Sequence, residues 1–395
     1  MYKIQHYIFN NIQYLFLALS LVAGAIVPLP FRTEIYMAGL IYLLCYALIN
    51  WNCNLFLSRY FVLFLIICFL SCIASNSINY RLFAFIAIVI SVTPITNSIK
   101  LFFFRKSYLK HCLMIFPLLS LISLFCFIKG INYYEKTGNI LDFSGIFQHP
   151  MWMGAALGLS NIVTLWLIFF TQKRILQLLY TSILLLSIYM TIVSGSRSAL
   201  FASLIAMCFF LIVKLHNIRK IILAGFLIFV ATVMLLPYYL SGAQRMIDKF
   251  EASKGAYGSR TELFTIGVKH FKETPVFGVG FAVSYNSLGE KKIGRLESGS
   301  GWLSILFQTG LLGFSVICFI LWGLSKVMIY IWKDYELLLY LFAFGYLCLH
   351  SLFEGYILTV GYYPCILFWS LLGYLYAYPY YKSHEKNNIN LLTID

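Results

Sequence analysis

Residues 150–197 read PMWMGAALGLSNIVTLWLIFF, then TQKR, then ILQLLYTSILLLSIYMTIVSGSR. Two long apolar runs are parted by a single basic knot at Lys173 and Arg174. A helix of about 20 apolar residues spans the hydrocarbon of a bilayer, and runs of this length between short charged breaks mark membrane crossings. The same alternation repeats in both directions along the chain, as in a multi-spanning membrane protein.

Apolar runs between charged breaks lie near 12–30, 35–51, 60–76, 82–99, 111–129, 150–170, 176–194, 198–213, 219–240, 301–324, 336–353 and 356–378. Around Gly195 the stretch 176–213 can also be cut differently. Composition agrees. Of the 395 residues 61% are hydrophobic and 11% charged, where a soluble domain is about half apolar and a quarter charged. A soluble core of this size lacks the charges to cover it, so lipid is the remaining solvent. The first run ends in Val27-Pro28-Leu29-Pro30-Phe31-Arg32, without the small-residue cleavage site of a signal peptide, and reads as a retained helix.

The net charge of +15 does not point to nucleic acid. The basic residues cluster between apolar runs, as topology anchors do, and no basic groove interleaved with stacking aromatics is visible. The ten cysteines fall in or beside apolar runs with no CxxC pair, so they read as small buried hydrophobes.

Lys/Arg bias sets the orientation. With the N-terminus inside, the inner side carries 15 Lys and Arg, and the short outer loops carry five: Arg32, Arg81, Lys129, Lys136 and Arg197. Both termini are therefore expected inside. Of 14 acidic residues only Asp334, Glu336, Glu385 and Asp395 lie inside, so carboxylate chemistry belongs to the outer face. The expected architecture is an all-α integral membrane protein of about 12 transmembrane helices over residues 1–381. One large outer, periplasmic loop at 241–300 is inserted between helices nine and ten, and a disordered cytoplasmic tail follows from 382 to 395. In the loop, Ser241 with Gln244 and Ser259 with Glu262 read as capping boxes opening short helices, the second stopped before Pro275. Phe277-Gly278-Val279-Gly280-Phe281 reads as a tight apolar turn.

Charges near membrane depth are costly and default to functional candidates. Arg197, in Ser194-Gly195-Ser196-Arg197-Ser198-Ala199, sits at an outer boundary among small neighbours, where a guanidinium can grip a phosphate through two parallel bonds. The bland alternative is a snorkelling Arg that ends a helix. Arg260 falls in the first turn of a loop helix, as an anion site or as a solvated charge. Glu297 precedes a membrane helix, as a base at a partly dry interface or as a capping carboxylate. His149, before Pro150, is a sugar or phosphate ligand or a polar residue that starts a helix. His350 and Glu354 are four apart and share a face if the helix runs that far, as a structural or a catalytic pair. Ser196 and Arg245 complete the candidate substrate-binding set. The sequence has no Walker A loop, HExxH, GxSxG, dinucleotide fingerprint, DxD or metal-ligand cluster, so neither a metal nor a cofactor is expected.

Four features in order resemble the bacterial O-antigen ligase and O-antigen polymerase superfamily of membrane glycosyltransferases. They are Phe143–Pro150, Ser194–Leu200, Arg260 followed by Pro275–Phe281, and Trp302-Leu303 leading to Gly310-Leu311-Leu312-Gly313. The resemblance covers roughly 140–375. It implies glycosyl transfer on the outer face of a bacterial inner membrane, from a glycan on polyprenyl diphosphate to a sugar hydroxyl, without nucleotide or metal. Arg197 and Arg260 match the arginines that hold the diphosphate. Other polysaccharide-assembly proteins are implied partners. Ligases of the family carry a His-Asn pair where this chain has Gly299-Ser300, which favours a polymerase-type member with Glu297 as base. A lipid-linked sugar transporter or flippase and a structural envelope protein are the competing readings. The absence of an inverted repeat speaks against the transporter.

Overall fold

A computed structural model of the chain describes residues 2–52, 55–134, 143–215, 258–283, 299–331 and 334–392. Among these residues the protein is helical: α1 (Tyr2–Ala23), α2 (Arg32–Ile49), α3 (Leu55–Ala74), α4 (Tyr80–Val92), α5 (Ile99–Ile128), α6 (Pro150–Phe170), α7 (Arg174–Val193), α8 (Arg197–Leu215), α9 (Gly258–Glu273), α10 (Gly301–Gly323), α11 (Tyr335–His350) and α12 (Tyr363–Leu392). A 3-10 turn, Leu324–Tyr330, follows α10. Seven helices are long and apolar enough to cross a membrane, and three shorter apolar stretches accompany them among the described residues. The ninth expected span, 219–240, and the Ser241 capping box lie outside the described residues.

Helix starts follow side-chain chemistry. Asn79 Oδ1 accepts from Arg81 N and Leu82 N to open α4, and Ser98 Oγ accepts from Leu101 N to open α5. Asp334 Oδ1 accepts from Glu336 N and Leu337 N to open α11. Each side chain meets backbone donors that the first helical turn leaves without a partner. The cut around Gly195 falls at 194–196, as the sequence suggested.

Three expectations need correction. The fourth span is shorter than 82–99: α4 ends at Val92. The last helix begins at Tyr363 instead of near 356, because the chain leaves helix at Ser351 and runs through an irregular bridge, 351–362. The polar tail from Lys382 continues as helix to Leu392 instead of being disordered.

Helix α6 lies at the centre, packed on α5, α7, α8 and α11. Lipid tails are as apolar as leucine, so helix association rests on close packing and interhelical hydrogen bonds, the latter worth about 0.6 kcal/mol each. Small residues provide the close approach: Gly154 faces Ser196, and Gly158 faces the Tyr346 ring. Interhelical bonds join Ser187 Oγ to Leu157 O at 3.1 Å, Asn161 Nδ2 to Ser203 Oγ at 3.2 Å, and Tyr346 OH to Ala155 O at 3.3 Å.

The connections sort into two ends of the bundle. At one end Val27 N donates to Ile146 O and Gln148 N to Ala25 O, tying 24–31 to 143–149. At the opposite end Asn52 pairs with Asn97, Lys106 and Lys110 grip Glu336 at 2.8 and 2.6 Å, and Tyr378 OH donates to Asp334 Oδ2. Arg105 is buried there, donating to Ser91 O and Thr96 Oγ1.

Helix α10 is broken at Gly310, whose backbone is left-handed (φ 66, ψ −168). The apolar turn expected at 277–281 fills that break. Val279 N donates to Phe307 O and Gly280 N to Gln308 O, while Leu311 N and Leu312 N donate to Pro275 O and Val276 O. Non-helical backbone survives at membrane depth only where protein satisfies its polar groups, and here the two segments satisfy each other.

Candidate functional site

Helix α7 ends at Val193, and Ser194-Gly195-Ser196 turns the chain directly into α8. Gly195 takes a left-handed conformation (φ 66) and its N–H donates to Ile192 O, closing the α7 C-terminus. Ser194 Oγ donates to Thr191 O and accepts from Ser196 N. Leu200 N donates to Ser196 O, so Ser196 starts α8 and Arg197 is its first residue. The tightness of this turn has a packing cause. A Cβ on Gly154 would lie 2.4 Å from the Ser196 side chain, so α6 and the turn are in direct contact. The Ser196 hydroxyl is buried and has no hydrogen-bond partner among the described residues. Arg197 and Ser198 are half-buried.

The bridge 351–362 lies across this helix start. Ser198 Oγ donates to Glu354 Oε1 at 3.2 Å, and Glu354 is only 5% exposed. A carboxylate beside the positive end of a helix dipole is favourably placed. The same bridge holds the start of α10: Gly301 N donates to Ser351 O at 2.8 Å and Ser300 Oγ to Ser351 O at 3.4 Å, while Trp302 Nε1 donates to Cys348 O in the last turn of α11 at 3.1 Å. Its far end holds the start of α6, where Tyr362 stacks on Trp152 and Tyr363 OH donates to Trp152 O at 2.8 Å. Three helices, α6, α8 and α10, thus begin around one bridge, and their N-termini present positive partial charge to it.

His350 is the last residue of α11 and is fully buried between the rings of Tyr346 and Tyr356, each 5.5 Å away. Because α11 stops there, His350 and Glu354 are not on one helix face, and the expected pairing by helical spacing does not apply. His149 caps α6: its Nδ1 accepts from Met151 N at 3.1 Å, with Pro150 at the first helical position and the Tyr134 ring edge-on. Arg260 lies in the first turn of α9, a helix that begins at Gly258, one residue before the Ser259 read as its cap. Arg245 and Glu297 lie outside the described residues.

One end of the bundle therefore brings together Arg197, Ser196, Glu354, His350 and His149. Ser198, Gly154 and Ser351 were not singled out as candidates. Ser198 carries a signal in its place beside Arg197, whereas Ser351 and Gly154 act only through contacts with residues remote in sequence.

Residues 182–318 match the family model described as O-antigen ligase. The matched stretch contains the Ser194–Leu200 turn, Arg260, the 275–281 segment and the Gly310 break, three of the four resembling features in full. It leaves out Phe143–Pro150 and the Glu354 bridge. No curated protein matches the chain.

Proposed function

We propose that this membrane protein of the O-antigen ligase and polymerase superfamily joins glycan repeat units on the outer face of the membrane. The donor is a glycan on polyprenyl diphosphate and the acceptor a sugar hydroxyl. The acceptor oxygen attacks the anomeric carbon, the bond from that carbon to the diphosphate oxygen breaks, and the lipid diphosphate leaves. Arg197, with Arg260, stabilises the charge that develops on the leaving group. Ser196 and Arg245 complete its binding, and Glu297 takes the acceptor proton.

The observation that carries the reading is the setting of Arg197. It opens α8 within the matched segment, and its neighbour Ser198 is tied to the buried Glu354 where three helix N-termini meet. Oriented N–H groups with a guanidinium form a site suited to phosphate oxygens. Gly299-Ser300 before α10, where ligases of the resembling family carry a His-Asn pair, favours the polymerase over the ligase.

Deletion of the gene, with Arg197→Ala and Arg260→Ala alleles beside it, tests the proposal on surface glycans and extracted lipid-linked glycans. The polymerase predicts loss of long polymer and accumulation of single repeat units on the lipid. Finished long chains stranded on the lipid would establish a ligase instead. An unchanged glycan profile would move the weight to a transporter.

A further inference from the structure

We propose that the segment Thr274–Val283 is a positioning element that registers α9 on the membrane bundle, and that Gln308 is its positioning residue. That this registration serves glycosyl transfer rests on the function proposed above; the registration itself does not.

The break at Gly310 leaves backbone donors and acceptors of α10 without helical partners, and the segment supplies them through four backbone hydrogen bonds. Gln308 concentrates the attachment. Its carbonyl accepts from Gly280 N at 3.2 Å and from Ser71 Oγ of α3 at 2.5 Å, and its side-chain Oε1 accepts from Ala282 N at 2.8 Å. One side chain and its peptide thus join α3, α10 and the inserted segment.

The seat is built for this segment. Helix α4 has 13 residues, about 20 Å of helix, too short for a hydrocarbon core of about 30 Å. That shortfall lies at the Val92 end; at the other end the segment lies directly against the α3–α4 turn, where a Cβ on Gly280 would be 2.2 Å from Ser75 Oγ and 2.4 Å from Ser77 Oγ. Asn79 Nδ2, at the start of α4, donates to Phe281 O at 2.9 Å, and the fully buried Phe281 ring packs 4.8 Å from Phe85. The glycines admit no side chain: a Cβ on Gly278 would lie 2.5 Å from Phe307 O, and one on Gly310 2.1 Å from Val276 O.

Registration passes straight to α9. Gly278 N donates to Thr274 O, one residue beyond the end of α9. Gly267 of α9 lies against the ring of Phe307, the residue preceding Gln308, and Phe271 meets the same ring at 6.3 Å. Arg260 is two helical turns upstream of Gly267, so a slip at Gln308 displaces the start of α9 and with it Arg260.

The test is amide hydrogen exchange on the purified full-length chain in nanodiscs, paired with the surface polymer that a deletion strain lacks. Peptides covering 276–282 should be protected in the parent. Gln308→Leu should speed their exchange at least tenfold while peptides from α5 keep their rates, and at equal protein level polymer yield should fall more than tenfold. Gln308→Glu, which keeps the Oε acceptor, should restore both. Ser71→Ala, a milder loss, should shift exchange in the same direction if Gln308→Leu fails to accumulate. Parent peptides that exchange like unstructured chain would overturn the insertion. A freed segment with full polymer yield would overturn the positioning role. Failure of the parent reading shows separately, as Arg197→Ala without effect on polymer while the exchange results stand.

Discussion

Ser198 Oγ donates to Glu354 Oε1 at 3.2 Å across 156 positions of chain, joining the first turn of α8 to the bridge between α11 and α12. The bond holds the residue after Arg197 against a buried carboxylate, and a hydrogen bond to a charged group contributes about 1.5–3 kcal/mol. If that energy is realised in placing Arg197, Ser198→Ala should lower polymer synthesis by about tenfold or more. Glu354→Gln keeps the acceptor and removes the charge. It should retain the fold and show whether charge or geometry is needed, as read by polymer per unit of membrane protein.

Gly310→Ala should be among the most damaging single-methyl changes in the chain. It places a side chain in a left-handed backbone and against Val276 O, a combined cost of about 2–5 kcal/mol. Gly345→Ala in α11 meets nothing within 4 Å and should stay within about 1 kcal/mol of the parent. Thermal unfolding in detergent, followed by size-exclusion profile, compares the two directly.

Much of this fold was legible. Apolar runs parted by basic knots marked most of the helices among the described residues, and Asn79, Ser98 and Asp334 are short polar residues just before helices that they cap. The break at Gly310 was not legible, because Gly310-Leu311-Leu312-Gly313 reads as one more stretch of apolar helix and its hydrogen-bond partners lie some thirty residues upstream. The bridge 351–362 was hidden for the same reason: its composition is apolar enough to pass for the start of a span. Of the site, Arg197 could be found from its charge among small residues. Its neighbour's carboxylate partner could not, since only the fold brings Ser198 and Glu354 together.

Arg105 should matter for stability and little for the chemistry. It is buried at the end of the bundle remote from Arg197, with bonds to Ser91 O at 2.9 Å and Thr96 Oγ1 at 2.7 Å that fasten α5 to the end of α4. Arg105→Leu should cost about 1.5–3 kcal/mol in unfolding measurements, while the activity of the remaining folded protein stays near that of the parent.

The orientation assigned from Lys/Arg bias has a simple check. Gln148 is exposed at the end that carries Arg197, and Lys173 is exposed at the other. In intact cells Gln148→Cys should react with a membrane-impermeant maleimide and Lys173→Cys should not; after permeabilisation both should react. The reverse pattern would place the Arg197 end inside.

In the proposed reaction Arg197 acts on a lipid-linked glycan diphosphate. The most direct measurement is conversion of polyprenyl-diphosphate-linked repeat units by the purified chain in liposomes, parent against Arg197→Ala, followed by the size of the lipid-linked glycan. A ladder of two or more joined repeats is expected with the parent and single repeats with Arg197→Ala. An equal ladder from both proteins, or single repeats alone from a folded parent, would contradict it.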